Sequence, residues 1–81
     1  MKVNHITPLP ADEFAQQIIA DKNRPAWNFA HLARQNTALR DAGQENTATA
    51  MYIRRAMTAI LQGNDERYLA ALDEIIKLAA R

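Results

Sequence analysis

The sequence predicts an all-α protein: a small up-down helical bundle of about four helices over residues 11–81, behind an extended arm over residues 1–10. This class rests on three features of the chain. Residues 44–63, QENTATAMYIRRAMTAILQG, are apolar over more than half of a helical wheel, where Tyr52, Ile53, Ala56, Met57, Ala59, Ile60 and Leu61 fall in one continuous arc. Pro25, Gly43 and Gly63 punctuate the chain at intervals that suit helix starts and stops. Residues 65–81 repeat Tyr68, Leu72, Ile75, Ile76 and Ala79 at helical spacing.

In chain order, Val3, Ile6 and Leu9 share the first ten residues with Pro8 and Pro10, which favours an extended arm over a helix. Its apolar side chains are expected to pack on the bundle or on a neighbouring molecule. A first helix over about Ala11 to Lys22 puts Asp12 and Glu13 at the positive end of its dipole and turns Phe14, Ala15, Ile18 and Ile19 inward. Asn23-Arg24-Pro25 breaks it, because the residue before a proline is pushed out of the helical region.

A second helix, about Pro25 to Ala42, is the least amphipathic. Phe29, Leu32 and Leu39 share a face interrupted by Asn36, while Trp27 lies nearly opposite, beside His31, Arg34 and Ala38. The third helix takes Asn46 or Thr47 as its N-cap and ends at Gly63. A helix this apolar needs cover from more than one side, so it is expected to stand as the central post. Its remaining stripe carries Thr47, Arg54, Arg55, Thr58 and Gln62, with Met51 in the middle. Asn64 caps the fourth helix, and the tight turn between the third and fourth is an αα-hairpin signal. Short loops throughout imply antiparallel neighbours.

The stretch LARQNTALRDAGQENTATAMYIRRAM resembles a tetratricopeptide-repeat hairpin in Gly43 at the turn, Ala48 at the helix crossing and Tyr52 one turn later. Gln35, Asn36, Glu45 and Arg55 depart from that pattern, and one unit cannot bury its own face, so the stretch is read as ordinary helical-hairpin packing. Gly43 with Arg54 and Arg55 also resembles a DNA-binding helix-turn-helix. Gln44 and Thr49 stand where such a motif buries apolar residues, which leaves the arginines as phosphate contacts at most.

With 81 residues and no cysteine, the chain has one domain's worth of core and no disulfide to support it. Stability scales to roughly 4–12 kcal/mol. The lack of cysteine excludes zinc fingers, thiol nucleophiles and disulfide scaffolds. No apolar run approaches the ~20 residues of a membrane span, and MKVNHITPLP lacks the apolar core of a secretory signal, so a cytoplasmic protein is expected. The net charge of +1 hides an uneven distribution: residues 24–63 carry five basic and two acidic groups, while both flanks are slightly acidic.

Catalytic chemistry has little to build on. The histidines are His5 and His31, and His31 has Gln35 rather than a carboxylate one helical turn on. Adjacent carboxylates, Asp12-Glu13, Asp65-Glu66 and Asp73-Glu74, diverge by about 100° on a helix and do not converge on a metal or a shared proton. No metal site, cofactor or catalytic residue is expected. The favoured reading is a noncatalytic helical protein–protein interaction module, an adaptor, regulator or inhibitor, whose partner-binding residues are Trp27, His31, Arg34, Met51, Arg54 and Arg55. The alternative is a nucleic-acid-binding regulator using Arg24, Arg34, Arg40, Arg54 and Arg55. Trp27 either joins the partner surface or folds back on Phe14 and Ile18, and the fold-back is slightly favoured. Because one chain offers the third helix limited cover, a homodimer through the arm and the Met51 side is slightly favoured over a monomer.

Overall fold

Four helices form at the start and stop signals: α1, Ala11–Ala20; α2, Pro25–Asp41; α3, Ala48–Leu61; and α4, Asp65–Ala79. The computed structural model describes residues 6–81. Expectations placed on Val3, on His5 and on the arm before Ile6 lie outside the described residues. Ile6 to Pro10 have no regular structure.

The helix ends have local causes. Pro25 occupies the first turn of α2, where a missing N–H costs nothing. After α2, Gly43 at φ 74° lets the chain double back, so that Gln44 N–H reaches Leu39 O (2.7 Å) and Gly43 N–H reaches Arg40 O (3.0 Å). The same six-to-one closure ends α3, with Gly63 at φ 68° and Asn64 N–H on Ala59 O at 2.8 Å. The long apolar stretch is therefore helical over a shorter span than its composition suggests. Gln44 belongs to the preceding closure, and Thr47 is the N-cap, its hydroxyl accepting from Ala50 N–H at 3.2 Å. Asn64 completes one helix and starts the next: its Oδ1 accepts from Arg67 N–H at 3.1 Å.

The helices close into a ring. α3 packs on α2 and α4, α1 packs on the same two, and the backbones of the diagonal pairs, α1 with α3 and α2 with α4, stay apart. The radius of gyration, 12.2 Å, matches the ~12 Å of a well-packed chain of this length. α3 is consequently flanked rather than surrounded, which corrects its expected role as a central post. Ile53, Ala56 and Ala59 are buried, but Leu61, from the same apolar arc, is 76% exposed. Phe14 and Ile18 from α1 meet Leu72 and Ile75 from α4 in a single core with Leu32, Leu39 and Ile53. One chain thus forms a core from its own four helices, and Ile19, Leu61 and Leu69 remain exposed outside it.

The inward face of α2 is rotated from the one its apolar residues suggest. It buries Asn28, Leu32, Gln35 and Leu39, which recur at helical spacing, and leaves Phe29 half-buried. The two polar members are held. Asn28, fully buried, donates through Nδ2 to Ile18 O (3.0 Å) and to the Tyr68 hydroxyl (2.8 Å), and that hydroxyl donates in turn to Lys22 O (2.9 Å). Gln35 brackets Leu9: its Oε1 accepts Leu9 N–H and its Nε2 donates to Leu9 O, both at 3.0 Å. This two-point clasp fixes the end of the arm while the Leu9 side chain packs on the core.

Two outcomes test this packing. Ile53→Ala empties a fully buried site and should cost about 2–5 kcal/mol, whereas Arg54→Ala on the exposed face should cost less than about 0.5 kcal/mol, both read from urea midpoints. The Tyr68 hydroxyl is raised above its ordinary value of 10.0 by burial, opposed by the Asn28 hydrogen bond and assisted by the charges of Asp21 and Asp65. A raised folded-state value means the folded chain holds this proton more tightly. Its contribution is therefore complete below about pH 10 and is lost as pH climbs through the folded-state value. Urea midpoints should fall above pH 10, with a shallower fall in Tyr68→Phe, which should also lose about 1–3 kcal/mol at neutral pH.

Candidate partner-binding groove

The polar stripe of α3 does not face open solvent along its whole width. Met51, Arg54, Arg55, Thr58 and Gln62 form one side of an open groove of about 770 Å³ whose other side is Arg67, Ala70, Ala71 and Glu74 of α4, with the buried Ala59 and Ala71 at its base. The groove exists because small residues sit where the two helices meet. Ala59 and Ala71 are buried and have no long side chain to fill the furrow above them.

Its charge is one-sided. Arg54, Arg55 and Arg67 are all exposed on it, and among the described residues none has a carboxylate within ion-pair distance. Glu74, the groove's one carboxylate, lies 3.5 Å from Lys77 one turn on, so its charge is already partly answered. Arg54 donates to Glu45 O at 2.9 Å, which holds it across the end of the α2–α3 loop. Arg55 lies 5.3 Å over the Tyr52 ring, a cation–π contact that spreads the guanidinium along the wall. Arg54 also borders a smaller pocket of about 290 Å³ with Asn36, Arg40, Glu45 and Asn46.

The six residues singled out from sequence separate into two groups. Met51, Arg54 and Arg55 line the groove. Trp27, His31 and Arg34 lie on α2, whose backbone stays apart from α4, and they line neither the groove nor the smaller pocket beside it. The favoured fold-back of Trp27 is overturned: the residue is 62% exposed, with the Arg24 guanidinium 5.2 Å from its ring centroid. Asn28, its neighbour, takes the inward position because its amide finds two partners there, and α2 can turn only one of the two residues inward. His31 is not without a carboxylate either. The turn after α1 brings Asp21 to it, with His31 Nε2 2.7 Å from Asp21 Oδ2, a pairing ten residues apart in sequence that helical spacing does not show. Neither cavity includes His31.

Sequence reasoning missed Arg67, Ala70, Ala71 and Glu74, the α4 wall. Their signal was faint: Arg67 sits in an acidic first turn and reads as a solvated charge. Among the described residues no cluster of three His, Cys, Asp or Glu gathers at metal-binding distance, and no helix is long and apolar enough to cross a membrane. No protein-family model, curated protein or solved structure matches the chain.

The lone tryptophan reports directly on the α2 surface. Its fluorescence should be red-shifted, and acrylamide should quench it nearly as well as free tryptophan; a blue, protected emission would return Trp27 to the interior.

Proposed function

We propose that the protein is a noncatalytic helical interaction module that binds another protein through the α3–α4 groove. The observation that carries this reading is the groove itself: about 770 Å³, floored by alanines and flanked by three exposed arginines that have no carboxylate partner among the described residues. Concave apolar clefts with a few placed polar groups are the usual form of a binding site. Arginine and aromatic side chains are the types most enriched among residues that dominate binding energy. Trp27 and Arg24 form a separate exposed pair on the far side of α2 and are not needed for it.

The same arginines support a second reading, a nucleic-acid-binding regulator. Arg34 and Arg40 are also exposed, and Arg40 lines the smaller pocket together with Arg54. Phosphate contacts release counterions, so such binding would weaken steeply with salt.

A photo-crosslinking residue at position 51, expressed in the native host, should give a discrete protein adduct that disappears with Arg55→Glu. The same probe at position 12, on the opposite side of the ring, should give none. Equal labelling from both positions, or nucleic acid as the captured species, would overturn the protein-binding reading.

A further inference from the structure

We infer that the occupant of the α3–α4 groove is an acidic amphipathic helix of another protein, an inference that rests on the groove being the interaction surface. Charge complementarity is the first argument. Arg54, Arg55 and Arg67 stand along both walls, and their side chains meet no carboxylate among the described residues. A chain with a net charge of only +1 has placed three of its cations around one furrow and left them unanswered. Guanidinium groups present donors in a fixed fork that matches a carboxylate two bonds at a time.

Shape is the second argument. From Met51 to Gln62 the α3 wall runs roughly 16 Å at 1.5 Å per residue, about three turns of a docked helix. The floor, Ala59 and Ala71, has side chains short enough for a third helix to approach the pair closely, and Met51 supplies an adaptable apolar contact at one end. Residues at i, i+3, i+4 and i+7 of the occupant would lie on that floor, and carboxylates flanking them would meet the arginines. A nucleic-acid strand fits less well: its phosphates have no use for an alanine floor, and Glu74 sits within the wall they would follow. A second copy of this chain fits less well too, because pairing the groove with itself sets arginines against arginines.

The test uses the full chain, isotopically labelled, and a synthetic peptide of about fourteen residues with leucines at helical spacing and glutamates beside them. A lysine-for-glutamate version and single- and double-stranded DNA oligonucleotides are compared with it. Chemical shifts should move at Met51, Ala59, Ala70 and Ala71 with saturation. Affinity for the glutamate peptide should exceed that for the lysine peptide at least tenfold, and should fall at least tenfold in Arg55→Glu/Arg67→Glu and in Ala70→Glu, whose sites are exposed and outside the core. Equal binding of the two peptides, shifts confined to other surfaces, or displacement of the peptide by DNA would overturn the inference. A position-51 crosslink to protein that persists while the acidic peptide fails would leave the groove as the interaction surface and remove only the acidic helix.

Discussion

The buried amide of Asn28 is the constraint on which this bundle depends. An apolar residue there would let α2 rotate on its neighbours at little cost, since aliphatic contact is not directional. A carboxamide sealed from water is different: leaving its donors unpaired costs about 1–3 kcal/mol, so the position must be built around its partners. Nδ2 donates to the carbonyl of Ile18 and to the hydroxyl of Tyr68, and the hydroxyl donates in turn to the carbonyl of Lys22. The carbonyl of Ile18 can only accept, which fixes which end of the amide faces it. Three helices are thereby held in one relative register, and the ring is closed between α1 and α4. Asn28 Oδ1 has no partner among the described residues, so the satisfied side of the amide carries the whole pairing.

What that register leaves exposed is as important as what it buries. With Asn28 turned inward, Trp27 is turned out, and the face of α2 that sequence would offer to a partner becomes an isolated aromatic beside Arg24. The opposite side of the molecule is built differently. Between α3 and α4, Ala59, Ala70 and Ala71 line a furrow that gathers arginines from both helices, and the concave charged surface arises there.

Electrostatics distinguishes the two surfaces further. His31 Nε2 and Asp21 Oδ2 lie 2.7 Å apart, a hydrogen bond that ties the turn after α1 to α2. Among the described residues the groove arginines have no carboxylate partner. Arg54 is held by a backbone carbonyl and Arg55 by a ring, contacts that orient a guanidinium without neutralising it. Oriented, unneutralised charge beside an apolar floor is the combination that gives a surface affinity for a ligand of opposite sign.

By itself the sequence determined the elements. Pro25, Gly43, Thr47, Gly63 and Asn64 act through backbone conformation and local hydrogen bonds that reach only a few residues, so helix starts and stops were legible one turn at a time. The polar stripe of α3 was legible for the same reason, and Met51, Arg54 and Arg55 do lie together on it. Tertiary structure alone decided which face of α2 points inward, because Asn28 and Gln35 count as surface residues until Ile18, Tyr68 and Leu9 supply partners 10, 40 and 26 residues away. It decided likewise that Asp21 meets His31 and that Arg67, Ala70 and Ala71 complete the groove. Those are contacts between helices, and helical periodicity carries no information about which stripe of one helix will lie against which stripe of the next.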